Sequence, residues 1–227
     1  MSAYKLLGAL SALGLGIVAA GAHADTIADW TFDSTAPATA GPFSPEVGAG
    51  AASGFHASTT TYSAPVGNGS AHSFSSNGWS VGDYYQFRVS TTNLQNVQLS
   101  WDQTGSTTGP KDFELQYSVN GTSFSDLLSY SILANSDPNA WSSTGAPKAM
   151  FTFTQDLSSL SILDNQSNVY FRLVDRDTTA LRGDTVASGG TDRVDNVIIT
   201  ASPVPVPAAI WLLGSGLFGL AGLRRRR

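Results

Sequence analysis

The chain has no cysteine, only 3 histidines and 2 methionines, and just 13% of its 227 residues are charged. The missing cysteine excludes disulfides, thiol nucleophiles and thiolate-bound metals. His23 falls in an N-terminal leader, while His56 and His72 stand in Ser/Gly-rich sequence without metal-ligand spacing and read as surface residues. Also missing are a Gly-x-Ser-x-Gly elbow, a His-Glu-x-x-His helix, a phosphate-binding loop and a dinucleotide fingerprint. Asp112 with Glu114 and Asp175 with Asp177 are carboxylate pairs, but a spacing of two on a strand only places both on one face. A retaining glycosidase needs its two carboxyls about 5 Å apart across a sugar, which spacing in sequence does not show. These absences argue against an enzyme. No 3.6-residue periodicity is sustained over residues 25–203, which argues against a helical domain.

What the sequence has instead is short alternation with a period of two. Tyr85, Phe87 and Val89 alternate with Tyr84, Gln86 and Arg88. Val97, Leu99 and Trp101 alternate with Gln98, Ser100 and Asp102, and Phe113, Leu115, Tyr117 and Val119 with Glu114, Gln116 and Ser118. Phe151 and Phe153 alternate with Thr152 and Thr154, and Val169, Phe171 and Leu173 with Tyr170 and Arg172. The apolar set of each run is predicted to face a core. Asn120-Gly121 predicts a two-residue type I′ hairpin that folds 113–119 back on 122–127, because both residues tolerate φ > 0. Breaks fall at 104–110, 135–147 and 178–190, and residues 35–69 read as a long first loop with room for one strand. The fold class predicted is all-β: an antiparallel β-sandwich.

The two ends read differently. Residues 1–24 have the form of a secretory signal peptide: Lys5, an apolar stretch over 6–20, and Ala22-His23-Ala24 as a small-x-small cleavage site before Asp25. Signal peptidase and the general secretion machinery are the partners this implies. At the other end, Val204, Pro205, Val206 and Pro207 precede an uncharged run from Ala208 through 223, and Arg224, Arg225, Arg226 and Arg227 finish the chain. As a helix the run would reach ~24 Å, just short of a ~30 Å hydrocarbon core. The arginines would stay on the cytoplasmic side. Residues 25–203 are then one exported domain.

This tripartite tail resembles the PEP-CTERM class of bacterial sorting signals, and Trp211-Leu-Leu-Gly-Ser-Gly-Leu-Phe-Gly-Leu-Ala-Gly-Leu223 looks very like members of it. The tetrad carries Val206 where the usual motif has Glu, and is most similar to the Val-Pro-Leu-Pro-Ala branch. The resemblance implies processing by an exosortase-type membrane peptidase near Val204–Ala208. It also implies a transient stay in the inner membrane, then the cell surface or extracellular matrix.

All 17 acidic residues but only seven of the 12 basic ones lie in 25–203, which leaves the domain a net charge near −10. Such a domain repels nucleic acid and suits cations or neutral glycans. Trp30-Thr-Phe-Asp33 and Asp192-Arg-Val-Asp195-Asn196 resemble the terminal strands of extracellular jelly-roll modules of the carbohydrate-binding and MAM types. That resemblance implies a calcium site built from Asp33, Asp192, Asp195 and Asn196, since calcium takes six to eight oxygen ligands. The competing assignment is that Asp195 bonds neighbouring backbone and pairs with Arg193 or Arg172. The stretch Glu114-Leu-Gln-Tyr-Ser118 is similar to galactose-binding-like sandwiches, and Trp79, Tyr84 and Trp141 are candidates to stack on sugar rings, with burial in the core as their alternative. The functional expectation is an exported non-catalytic protein associated with exopolysaccharide or the envelope. The alternatives are a lectin-like carbohydrate-binding module and a glycan hydrolase.

Overall fold

A computed structural model describes residues 23–205. The signal-peptide reading, and the tail from Val206 to Arg227, lie outside the described residues. Thirteen strands carry the fold: β1 (Asp25–Trp30), β2 (Val47–Gly48), β3 (Ala51–Phe55), β4 (Tyr62–Ser63), β5 (Phe74–Ser76), β6 (Tyr84–Val89), β7 (Leu94–Gly105), β8 (Asp112–Ser118), β9 (Ser125–Ser131), β10 (Leu133–Ala134), β11 (Thr152–Asp156), β12 (Val169–Asp175) and β13 (Asp192–Pro203). The described helix is confined to single 3-10 turns at Ala149–Phe151 and Ser161–Leu163. None of it is long and apolar enough to cross a membrane.

The strands form two sheets. One has eight strands along the path β10-β7-β13-β1-β2, with β11 beside β7 and β5, backed by β4, beside β13. The other has five in the order β3-β6-β12-β8-β9. Every pairing is antiparallel except the two-residue contact of β10 with β7. The terminal strands β1 and β13 lie side by side, with Trp30 opposite Val197. The all-β antiparallel sandwich expected from the alternation is what the chain adopts.

The core is the inward set of each alternating run. Tyr85, Phe87, Leu115, Phe171 and Leu173 from the five-stranded sheet meet Trp30, Leu99, Trp101, Val197 and Ile199 from the other. Trp30 packs edge-on against Phe87 with centroids 5.3 Å apart. Removing one such apolar side chain from water stabilises by ~2–3 kcal/mol, and these contacts hold the layers together. A β-bulge in β13 keeps its two halves compatible. The register shifts between Asp195 and Ile198, and Asn196 takes φ 47°. Val194 and Val197 therefore both point inward, and Asp195 is turned to the outer side.

Two local expectations change. Residues 35–69 hold β2, β3 and β4, not one strand, because short segments join the sheets by pairing with strands already in them. The 113–119 run does fold back, but Tyr117 pairs with Ser125, so the connection is longer than a two-residue turn. Only Gly121 has positive φ; Asn120 Oδ1 accepts instead from the Thr122 and Ser123 amides at 2.9 Å each. That side-chain turn competes with type I′ geometry and wins. At the end of the domain β13 runs through Pro203, and the Val204 amide donates to Asn93 O at 2.9 Å.

Candidate functional site

The two outer faces differ. On the eight-stranded sheet, loops cover the centre: Asp102, Asp195, Asn68 and Ser70 are all buried there. On the five-stranded sheet most outward residues of the central strands (Tyr84, Gln86, Gln116, Tyr170, Arg172 and Val174) remain half-exposed, with Glu114 and Ser118 buried and Arg88 and Phe55 open to solvent. Strand register arranges them in rows. One row runs Ser53, Gln86, Arg172, Gln116, Asp126 across all five strands. The next runs Phe55, Tyr84, Val174, Glu114, Ser129. Arg88, Tyr170 and Ser118 form a third.

Planar groups stack along this face. The Phe55 and Tyr84 rings lie 5.1 Å apart and nearly parallel. The Arg172 guanidinium sits 3.9 Å from the Tyr84 ring centre and 3.5 Å from that of Phe124. Its Nε donates to Gln86 Oε1 at 2.9 Å. Gln116 Nε2 donates to Asp126 Oδ1 at 2.8 Å further along the row. Burial lowers the Arg172 pKa from its usual value, an effect the nearby Tyr84 phenol opposes. At the end of the face, Arg176 pairs with Glu114 at 2.6 Å, and Ser129 Oγ also donates to Glu114, at 2.8 Å. A recess of about 400 Å³ opens there, lined by Asp112, Phe113, Ser129, Tyr130, Arg176 and Asp177 among others. An apolar ring edge beside amide and guanidinium donors suits a hydroxyl-rich ligand lying along the sheet.

Of the predicted sugar-stacking residues, Tyr84 lies on this face. Strand order puts Phe55 on one side of its ring and Arg172 on the other, so its faces are occupied. Trp79 and Trp141 are 6% and 4% exposed and offer no face to a ligand. Trp79 packs against Tyr85 and Phe113, and Trp141 against Phe151. Their loops fold onto the body of the sandwich, which neighbouring sequence did not reveal. Phe55 and Phe124 were missed for the converse reason: each is an isolated aromatic in Gly/Ser-rich sequence. The polar sets of the β6 and β12 alternations did mark the outward direction.

The four residues expected to hold calcium are divided among separate environments. Asp192 faces inward, where Gln103 Nε2 donates to Oδ1 at 3.1 Å. Asp195 faces outward under the 67–72 loop: Oδ2 accepts from Ser70 Oγ at 2.5 Å and the Asn68 amide at 2.7 Å. Asp33 is exposed and accepts from the Ala71 amide at 2.6 Å. Asn196 turns its amide nitrogen, not its oxygen, to Asp102 Oδ2 at 2.8 Å and Asn68 O at 3.0 Å. Asn68 Nδ2 reaches the same Asp102 oxygen at 2.8 Å. Side-chain and backbone donors thus surround the outward carboxylates, with Asp195 Oδ1 left without a partner. Among the described residues no three His, Asp or Glu side chains gather as a metal site. Asp195 also pairs with neither arginine suggested for it: Arg193 donates to Val66 O, and Arg172 lies on the other sheet. Burial raises the Asp195 pKa to about 7 against the Ser70 and Asn68 bonds, and burial pushes Asp192 well above the carboxylate range.

His56 is not on the surface. Its side chain is 1% exposed, with Nδ1 2.9 Å from Asp83 Oδ2 and Nε2 2.9 Å from Ser76 Oγ. Ser76 Oγ lies 3.0 Å from Tyr85 OH, which donates to Asp192 O at 3.0 Å. These are the residue types of a Ser-His-Asp triad, but Ser76 is fully buried, and no substrate carbonyl reaches a sealed hydroxyl. Burial outweighs Asp83 and lowers the His56 pKa, so the ring is neutral at pH 7. Nearby, Asp175 is 1% exposed, neither of its carboxylate oxygens has a hydrogen-bond partner, and burial raises its pKa to about 7.

No protein-family model and no curated protein matches the chain. Among solved structures it is similar to a cleaved adhesin domain of Lys-gingipain from Porphyromonas gingivalis, at 14% identity over 77% of this chain and 98% of that one, with TM-score 0.44. It is also similar to the CBM22-1 and GH10 modules of Clostridium thermocellum endo-1,4-beta-D-xylanase 10B in complex with xylohexaose, at 12% identity, 80% of this chain, 29% of that one and TM-score 0.47. A third similarity is to the CBM22-1 xylan-binding domain of Paenibacillus barcinonensis Xyn10C, at 9% identity over 82% of this chain and all of that one, with TM-score 0.44.

Proposed function

We propose that the protein is an exported, non-catalytic polysaccharide-binding protein, and that the outer face of its five-stranded sheet is the contact surface. The observation that carries this is the uncovered face itself, where Phe55, Tyr84 and Phe124 stand beside Gln86, Arg88, Gln116 and Arg172. On the opposite sheet, loops bury the outward Asp102 and Asp195 at the centre. The sequence reading supplies the destination: a signal peptide over 1–24, and a PEP-CTERM-like tail over 204–227 cut by an exosortase-type peptidase. The non-catalytic reading is supported by the burial of Ser76 beside His56.

The test is retention of the exported protein on exopolysaccharide from its native host. Phe55, exposed at 47%, contributes an accessible ring face, and Phe55→Ala is expected to weaken retention about tenfold. Wild-type protein that passes unretained, or Phe55→Ala protein retained as well as wild type, contradicts the proposal. Release of reducing ends from the polymer contradicts its non-catalytic part.

A further inference from the structure

Basic groups are scarce in the domain, and most are engaged. Arg176 pairs with Glu114, Arg182 with Asp184, and Lys111 lies 3.9 Å from Asp112. Arg193 and Lys148 donate to the backbone oxygens of Val66 and Ala140. Arg88 and Arg172 remain. Among the described residues neither makes an ion pair, although seven basic residues share the domain with 17 acidic ones. Both project from the outer face of the five-stranded sheet. Arg172 sits opposite Gln86, and Arg88 is two residues further along the same strand, opposite Tyr170. On one face of a sheet such diagonal neighbours lie within reach of a single ligand group or of adjacent ones.

Arg172 is held in place. The Tyr84 and Phe124 rings occupy the two faces of its guanidinium, and Gln86 takes Nε. Only the terminal nitrogens are left, and neither has a hydrogen bond within the described protein or is among the buried unpaired atoms. A planar cation fixed in this way presents an edge of parallel N–H donors, and that edge matches a carboxylate bidentately. Stacking and burial remove part of its hydration, so an anion replaces water at low cost. The acidic residues on the same face are already engaged: Glu114 by Arg176 and Ser129, Asp126 by Gln116, and Asp112 by Ser131. The remaining negative charge of the domain is screened beyond a Debye length of about 8–10 Å.

We propose that the polysaccharide this face takes is acidic: a uronic-acid polymer whose carboxylates are received by Arg172 and Arg88. This deepens the polysaccharide-binding reading and rests on it. The composition of the domain alone pointed to cations or neutral glycans; the two unpaired arginines reverse that expectation locally.

The test measures binding of the full chain, in mild detergent, to polygalacturonate, to the same polymer with its carboxyls methyl-esterified, and to neutral dextran and xylan. Polygalacturonate is expected to bind at least tenfold more tightly than its ester, less so as salt rises. Arg172→Lys and Arg88→Ala should each remove most of that preference while leaving the melting temperature close to wild type. Arg88 is exposed, so its replacement reports on binding even if Arg172→Lys disturbs the stack. Equal binding of acid and ester forms, or an acid preference that survives both substitutions, overturns the inference and leaves the polysaccharide-binding reading standing. Binding to none of the four polymers or to the host exopolysaccharide overturns both.

Discussion

The side-chain amide of Asn68 donates to Asp102 Oδ2 at 2.8 Å, joining a loop to the middle of the eight-stranded sheet. The same residue gives its backbone amide to Asp195, and its side-chain oxygen receives the Lys148 amide at 2.8 Å. One buried asparagine thus ties two loops to two carboxylates, and removing its side chain strands several buried partners at once. Asn68→Ala should lower stability by about 3 kcal/mol, the scale of losing hydrogen bonds to charged groups. Urea denaturation checks this, and a change under about 0.5 kcal/mol contradicts it.

Gly67 adjoins that clamp. A Cβ there would fall 2.2 Å from Asp195 Oδ2 and 2.5 Å from His72 O. Gly67→Ala must therefore displace the loop, and it should destabilise about as much as Asn68→Ala. Gly82 has open space at its Cβ position but φ 94°. Gly82→Ala meets only backbone strain, of order 1–2 kcal/mol. Comparing the two melting temperatures separates crowding from strain, and equal losses would contradict the packing described.

Buried carboxyls give the domain an unusual pH response. Asp175 and Asp195, each with a pKa near 7, keep a proton in the fold that the unfolded chain releases near pH 4. Their contribution to stability is highest at the acid end of that window and falls as pH rises through it. His56 has the opposite sign below about pH 6.5, because its lowered pKa keeps it neutral in the fold while the unfolded chain takes up a proton. Asp175→Asn isolates one term. It should be more stable than wild type by about 4 kcal/mol at pH 8, with the gain gone by pH 4. A gain that does not change with pH contradicts the assignment.

The tail is tested in the native host. Under the sorting proposal the peptidase acts on an extended segment, which Pro205 and Pro207 would favour because a proline cannot donate to a ladder. Replacing both with alanine should leave full-length protein in the membrane fraction. Wild-type protein that keeps its tail in the extracellular fraction would make the tail a plain anchor.

Much of the sandwich was legible because Phe87, Leu115 and Phe171 sit in runs long enough for alternation to declare a buried side. The same runs declared the outer side, so Gln86 and Arg172 were placed correctly before their neighbours were known. Strands β2 to β4 were illegible: runs of two to five residues are too short to carry a period, and pairing alone makes them strands. The burial of His56 and Trp79 was illegible for a related reason. Both lie in loop sequence, and what buries them is each other, in edge contact at 4.7 Å, together with residues distant in the chain. The separation of the residues named for calcium was illegible as well, because Asp192 and Asp195, close in sequence, point to opposite sides of one strand.

Side-chain footprinting with hydroxyl radicals, on exported protein with and without the host exopolysaccharide, tests the binding face most directly. Bound polymer should protect Phe55, Tyr84, Phe124 and Tyr170. Leu133 and Met150, exposed at 46% and 48% on elements joined to the other sheet, should be labelled equally in both samples. Protection confined to Leu133 and Met150, or absent from the four aromatic residues while polymer is bound, would contradict the account.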